Sequence, residues 1–111
     1  MVANAQYIPD DPKEQASVLK VLREHPELQG DIERAQEAAS RIFSKYRIWL
    51  DSRTYDEWDP PLTLYIGVNE PFDQFRQSAD EYTDWLAYTS NYHRDLLLIM
   101  PTWEGPLESI R

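Results

Sequence analysis

Two hydrophobic periods alternate along this chain. Between residues 28 and 46, Ile32, Ala35, Ala39, Ile42 and Tyr46 recur at alternating steps of three and four, with Leu28 in phase before them and Phe43 widening the stripe. That spacing lines one side of a helix, predicted over about 29–46 with Gly30 as its weak point. A shorter helix is predicted over about 11–24. Asp11 is placed to cap it, Pro12 suits its first position, Glu14 stands where a capping box puts its acid, and His25-Pro26 interrupts it. Ala16, Leu19 and Leu22 fall on one face of that helix.

The period then drops to two. From Arg47 to Arg53, Ile48 and Leu50 alternate with Trp49 and Asp51, and from Leu62 to Asn69, Leu62, Leu64, Ile66 and Val68 alternate with Thr63, Tyr65 and Gly67. These segments read as strands buried on one side, joined by the loop Thr54 to Pro61. A third helix opens at Asn69-Glu70-Pro71 and runs to about Thr89. Phe72, Phe75, Ala79, Tyr82 and Leu86 form its apolar face, and Asp73, Gln77, Asp80 and Asp84 form an acidic one. Asp95 to Met100 reads as a last strand ended by Pro101, which leaves residues 1–9 as a flexible lead-in and 102–111 as an irregular tail.

The order α-α-β-β-α-β predicts an α+β fold. A single domain over 1–111 would carry two N-terminal helices, then β-β-α-β, with a three-stranded sheet and helices mainly on one face. The step from Val68 to Leu96 suits a right-handed crossover between parallel strands. Its expected core is Ile32, Ala39, Ile42, Leu64, Ile66, Phe75, Ala79, Leu86, Leu97 and Ile99.

Composition removes several chemistries. The chain has no cysteine, so it has no thiol nucleophile, no disulfide framework and no cysteine-type zinc site. Its longest apolar run, Leu96 to Met100, is far too short to span a bilayer, and Met1 to Tyr7 has neither a basic start nor an apolar run. The expectation is a cytoplasmic protein with no membrane contact.

Charge sharpens the picture because it is uneven. Residues 1–53 hold nine acidic and eight basic side chains, whereas 54–111 hold eleven acidic side chains against Arg76, Arg94 and Arg111. The second half thus carries −8 of the total −9, together with ten of the fourteen aromatics. Acidity beside surplus Trp and Tyr is the make-up of a surface that meets a basic partner.

Catalytic and cofactor signatures do not accompany it. His93-Arg94-Asp95-Leu96 matches the start of a kinase catalytic loop, but position 100 is Met where that loop needs asparagine, and its other elements are missing. The glycines Gly30, Gly67 and Gly105 form no phosphate-binding loop, and only His25 and His93 exist as imidazole ligands. No cofactor or metal is expected. For acid–base work the candidates are Asp51, the pair His93 and Asp95, and the loop Tyr55, Asp56, Glu57, Trp58 and Asp59; the loop is the alternative site, serving a small enzyme or ligand-binding domain. Arg34, Arg41 and Lys45 share a face of the second helix, with Arg47 beyond, as a small phosphate-contacting stripe, yet the overall charge makes nucleic acid an unlikely partner.

The acidic helix remains. Asp73, Asp80, Glu81 and Asp84 adjoin Trp85, Tyr88 and, past the helix end, Tyr92, which is the anatomy of ring anchors rimmed by steering charge. The expected function is non-enzymatic protein binding to a basic partner, with a homo-oligomer or scaffold subunit as a second form. In size and charge the chain is similar to antitoxin and immunity proteins, which neutralise basic toxins or nucleic-acid enzymes; no motif carries that likeness to particular residues.

Overall fold

The computed structural model describes residues 8–54 and 56–106. Its elements are α1 (Pro12–Glu24), α2 (Leu28–Ile42), β1 (Tyr46–Asp51), β2 (Leu62–Asn69), α3 (Phe72–Tyr88) and β3 (Leu97–Gly105), an α+β fold in the expected order. Tyr55, residues 1–7 of the expected lead-in and 107–111 of the expected tail lie outside the described residues.

Helix α1 begins as its sequence dictates. The Asp11 carboxylate accepts the Glu14 amide at 3.3 Å, and Pro12 occupies the first turn. The buried face differs from the expected one: Val18 and Leu22 enter the core, with Val21 packed beside them, while Ala16 is exposed. Helix α2 starts before Gly30 and stops at Ile42, four residues early. Phe43 is already extended there (φ −100°, ψ 137°), and Tyr46 opens β1 opposite Val68. Sheet pairing outcompetes a last helical turn that held only Ser44 and Lys45 between its apolar positions.

The strand order is β1-β2-β3, with β1 antiparallel and β3 parallel to β2. Leu62, Leu64, Ile66 and Val68 point to the helices, flanked by Leu50 on one side and by Leu97 and Ile99 on the other, all buried. Val18, Leu28, Ile32, Ala35, Ala38, Ala39, Tyr82 and Leu86 close this core from the helical layer. Of the expected core, Ile42, Phe75 and Ala79 are half-buried and the rest are buried.

Pro101 does not end β3, and Thr102 to Gly105 are strand rather than irregular tail. The ladder with β2 runs on through Ile66–Pro101 to Val68–Trp103. An edge strand turns alternate amides away from its neighbour, and a proline fits such a place without breaking the ladder. Glu104 is then an extra residue between Trp103 and Gly105, a bulge that throws its side chain back across the sheet; Gly105, at φ 130°, takes a backbone shape open to glycine. Trp103 holds the start of α3 by donating its indole N–H to the Glu70 carbonyl at 2.8 Å.

Candidate functional site

The acidic face of α3 is assembled as the helical spacing requires. Tyr82 and Leu86 pin the opposite side into the core, so Asp73, Asp80, Glu81 and Asp84 all stand exposed. None of the four forms an ion pair among the described residues. At 100° per residue Tyr88 falls between Asp84 and Glu81, and it is 85% exposed. Trp85 is half-buried, its ring 5.5 Å from that of Tyr82, so it offers one side to solvent. Tyr92 is also half-buried, under the Arg94 guanidinium at 4.7 Å, and Arg94 in turn donates to the Leu86 carbonyl at 2.8 Å.

Toward its C-terminal end this placement of charge works against the helix. Asp80 and Asp84 are like charges four apart, and no basic residue occupies the last turn, where the macrodipole favours one. Asp73 suits the first turn, but Asp80 and Asp84 contribute nothing of that kind to holding α3 together.

The alternative loop uses its carboxylates on itself. Asp59 accepts the Asp56 amide and Asp56 accepts the Trp58 amide, each at 3.0 Å, leaving Trp58 85% exposed. Glu57 is exposed, and Tyr55 lies outside the described residues. No group of three or more metal-binding side chains occurs among the described residues.

His93 pairs with Asp31, not with Asp95. The Asp31 carboxylate, wholly buried at the start of α2, accepts the His93 amide at 2.9 Å and lies 2.6 Å from its Nδ1, while its other oxygen accepts from Arg34. A signal for this existed in the sequence. Asp31 lies between Leu28 and Ala35 on the apolar stripe of α2, where a carboxylate must find partners.

The bond to Asp31 raises the proton affinity of the His93 ring, and the nearby charges of Asp31, Glu27 and Asp95 add to it. Because the folded-state pKa lies above the unfolded one, this pairing stabilises fully below the ordinary histidine value and fades as pH rises through the raised one. Melting temperatures between about pH 6 and about pH 9 should therefore fall more steeply for the parent than for His93→Gln. Parallel curves would show that the pair does not couple to folding.

The basic stripe expected on α2 is divided between surfaces. Arg34 and Arg41 border a cleft of about 500 Å³ between α2 and the end of α3, with Glu37 between them. Arg47 stands on the other side of the sheet. There its guanidinium reaches over Gly67 to Glu104 at 2.6 Å and caps the Trp49 ring at 4.4 Å. Any Cβ at Gly67 would overlap the Glu104 carboxylate, so this glycine makes room for a pair that joins the two outer strands above the central one. The Arg47 guanidinium holds the Glu104 carboxyl below the usual range, as Arg53 does for Asp51.

No helix covers this second sheet face among the described residues. Trp49 stacks on Tyr65 at 5.2 Å, and Leu98 and Met100 are 36% and 39% exposed beside a groove of about 220 Å³ that the Asp59-Pro60 turn borders. The aromatic character of this face was carried by the alternation itself, in Trp49 between Ile48 and Leu50 and in Tyr65 between Leu64 and Ile66, whereas the nearness of Leu98 and Met100 depends on strand pairing.

Buried Glu70 ties the layers together. One of its oxygens accepts the Ser44 amide and hydroxyl at 2.6 and 2.8 Å, and the other has no partner among the described residues. The chain matches no protein-family model, no curated protein and no solved structure.

Proposed function

We propose that this chain is a small non-enzymatic, cytoplasmic protein-binding module that receives a basic partner on the acidic face of α3, in the manner of an antitoxin or immunity protein. The observation that carries the reading is the exposed Tyr88 ring with Asp84 and Glu81 to either side and Asp80 and Asp73 unpaired further back along the same face, Asp80 and Asp84 standing as like charges that oppose the helix. Charge that disfavours the fold is explained by what it attracts. No helix among the described residues is long and apolar enough to cross a membrane, in keeping with a partner met in solution.

The test is kinetic. With a partner captured on the tagged protein, Asp80→Asn with Asp84→Asn should slow association and flatten its salt dependence. The same pair of changes should leave the fold equally or slightly more stable, by roughly 0.2–0.5 kcal/mol. Tyr88→Ala should instead speed dissociation and cost binding about 2 kcal/mol, and because that ring is so exposed, the loss should come without unfolding. A partner whose association ignores both salt and the two aspartates would remove the proposal.

A second form of the same class, a homo-oligomeric subunit, draws support from the uncovered sheet face of Trp49, Tyr65, Leu98 and Met100. Its rim charges are already paired within the chain, so it suits a neutral apolar surface rather than a basic one. Sedimentation equilibrium decides it: a monomer at all concentrations excludes self-association. The loop Tyr55 to Asp59 has less support as an enzymatic site, since Asp56 and Asp59 are engaged in their own turn.

A further inference from the structure

In the cleft between α2 and the end of α3 this acidic chain turns two guanidiniums toward one cavity. Arg34 and Arg41 stand seven residues, about two turns, apart on one helix, on the same side. Arg34 is fixed in place by the wholly buried Asp31 carboxylate, which is itself held by His93. Arg41 makes no hydrogen bond or ion pair among the described residues, so its donors are open to a ligand. The opposite wall is Trp85 with Thr89, Ser90 and Asn91. A volume of about 500 Å³ is within the range of small-molecule sites.

Each wall selects something different. A guanidinium pair with one member pre-oriented recognises a planar or tetrahedral anion through paired N–H donors. The half-exposed indole of Trp85 offers a flat apolar surface for a ring. Glu37, lying between the arginines, disfavours a bare anion and favours one that carries hydrogen-bond donors near its charge.

We infer that this cleft is a binding site for a small ring-bearing organic anion, a phosphate monoester or carboxylate with hydroxyl or amino donors, with Arg41 and Arg34 on the anion and Trp85 on the ring. It is a site separate from the acidic face of α3, which repels such ligands, though Trp85 borders both. Binding and partner capture are independent readouts, so either proposal can fail alone.

The experiment is a titration of the 15N-labelled protein, followed by NMR, with adenosine 5′-monophosphate, with 4-hydroxybenzoate and, as the ringless control, with inorganic phosphate. The two ring-bearing anions should shift the Trp85 indole and Arg41 side-chain signals saturably, with dissociation constants on the order of 1 mM or tighter. Arg41→Gln should weaken both about tenfold or more, since a hydrogen bond to a charged group is lost. Glu37→Gln should tighten them, and Arg47→Gln, on the far side of the sheet, should leave them unchanged. Shifts that stay linear to about 20 mM, equal loss in Arg41→Gln and Arg47→Gln, or inorganic phosphate binding as well as the ring-bearing anions would each overturn the assignment.

Discussion

Tyr82→Ala is expected to destabilise the fold by about 3–5 kcal/mol, and Tyr82→Phe by about 1 kcal/mol. The ring is wholly buried between the helical layer and the sheet, 5.4 Å from Phe43 and 5.5 Å from Trp85. Its hydroxyl donates to the Ala35 carbonyl at 2.8 Å, tying α3 to α2. Burial pushes the phenol far above its usual pKa, so the donor stays in place through the neutral and mildly alkaline range. The alanine variant loses both ring packing and hydrogen bond, whereas phenylalanine loses the bond alone. Denaturant titration of the three proteins separates the contributions. Equal losses in the two variants would place the stabilisation in the hydroxyl and not in the ring.

Leu64→Ala should cost about 2–5 kcal/mol, because the residue lies in the central strand with no exposed surface and with Leu50 and Ile99 as its neighbours across the ladders. The matched control is Leu98→Ala. Leu98 lies on the adjacent strand but points to the uncovered face, so its truncation should fall within about 0.5 kcal/mol. A one-residue slip of β3 would exchange the burial of Leu98 with that of its neighbours, so this pair of variants reports on register as well as on packing. Similar losses at both sites would contradict the arrangement of the faces.

Elements whose residues announce themselves locally were legible in the sequence. The strand from Leu62 to Asn69, the cap at Asp11 and the helix α3 each depend on neighbours within a few residues, and all three appear in the structure, although of the apolar face expected for α3 only Tyr82 and Leu86 are buried and Phe72, at its first turn, is exposed. Features that depend on distant partners were not legible. Tyr46 continues the apolar stripe of α2, yet it joins β1 because Val68, far along the chain, offers a ladder. Pro101 reads as a terminator until its strand is known to be an edge. The strand order, the partner of His93 and the space kept by Gly67 for Glu104 all rest on contacts that no local pattern encodes. For the candidate site, spacing correctly forecast the exposed carboxylates of α3, while the meeting of Arg34 and Arg41 with Trp85 required the helices to be packed.

Pro101 has one more consequence, for how the protein behaves when crowded. Among the described residues β1 and β3 pair with β2 alone, which leaves each an outer edge of the kind on which another chain can grow, and β3 is the longer of them. A strand arriving along β3 would meet, near its middle, a ring in place of the amide it needs, and beyond that the bulge at Glu104. Templated growth is interrupted on that side, while Arg47 and Asp51 leave the shorter β1 with charge near both ends. A small, aromatic-rich protein can in this way keep its sheet from becoming the seed of a fibril.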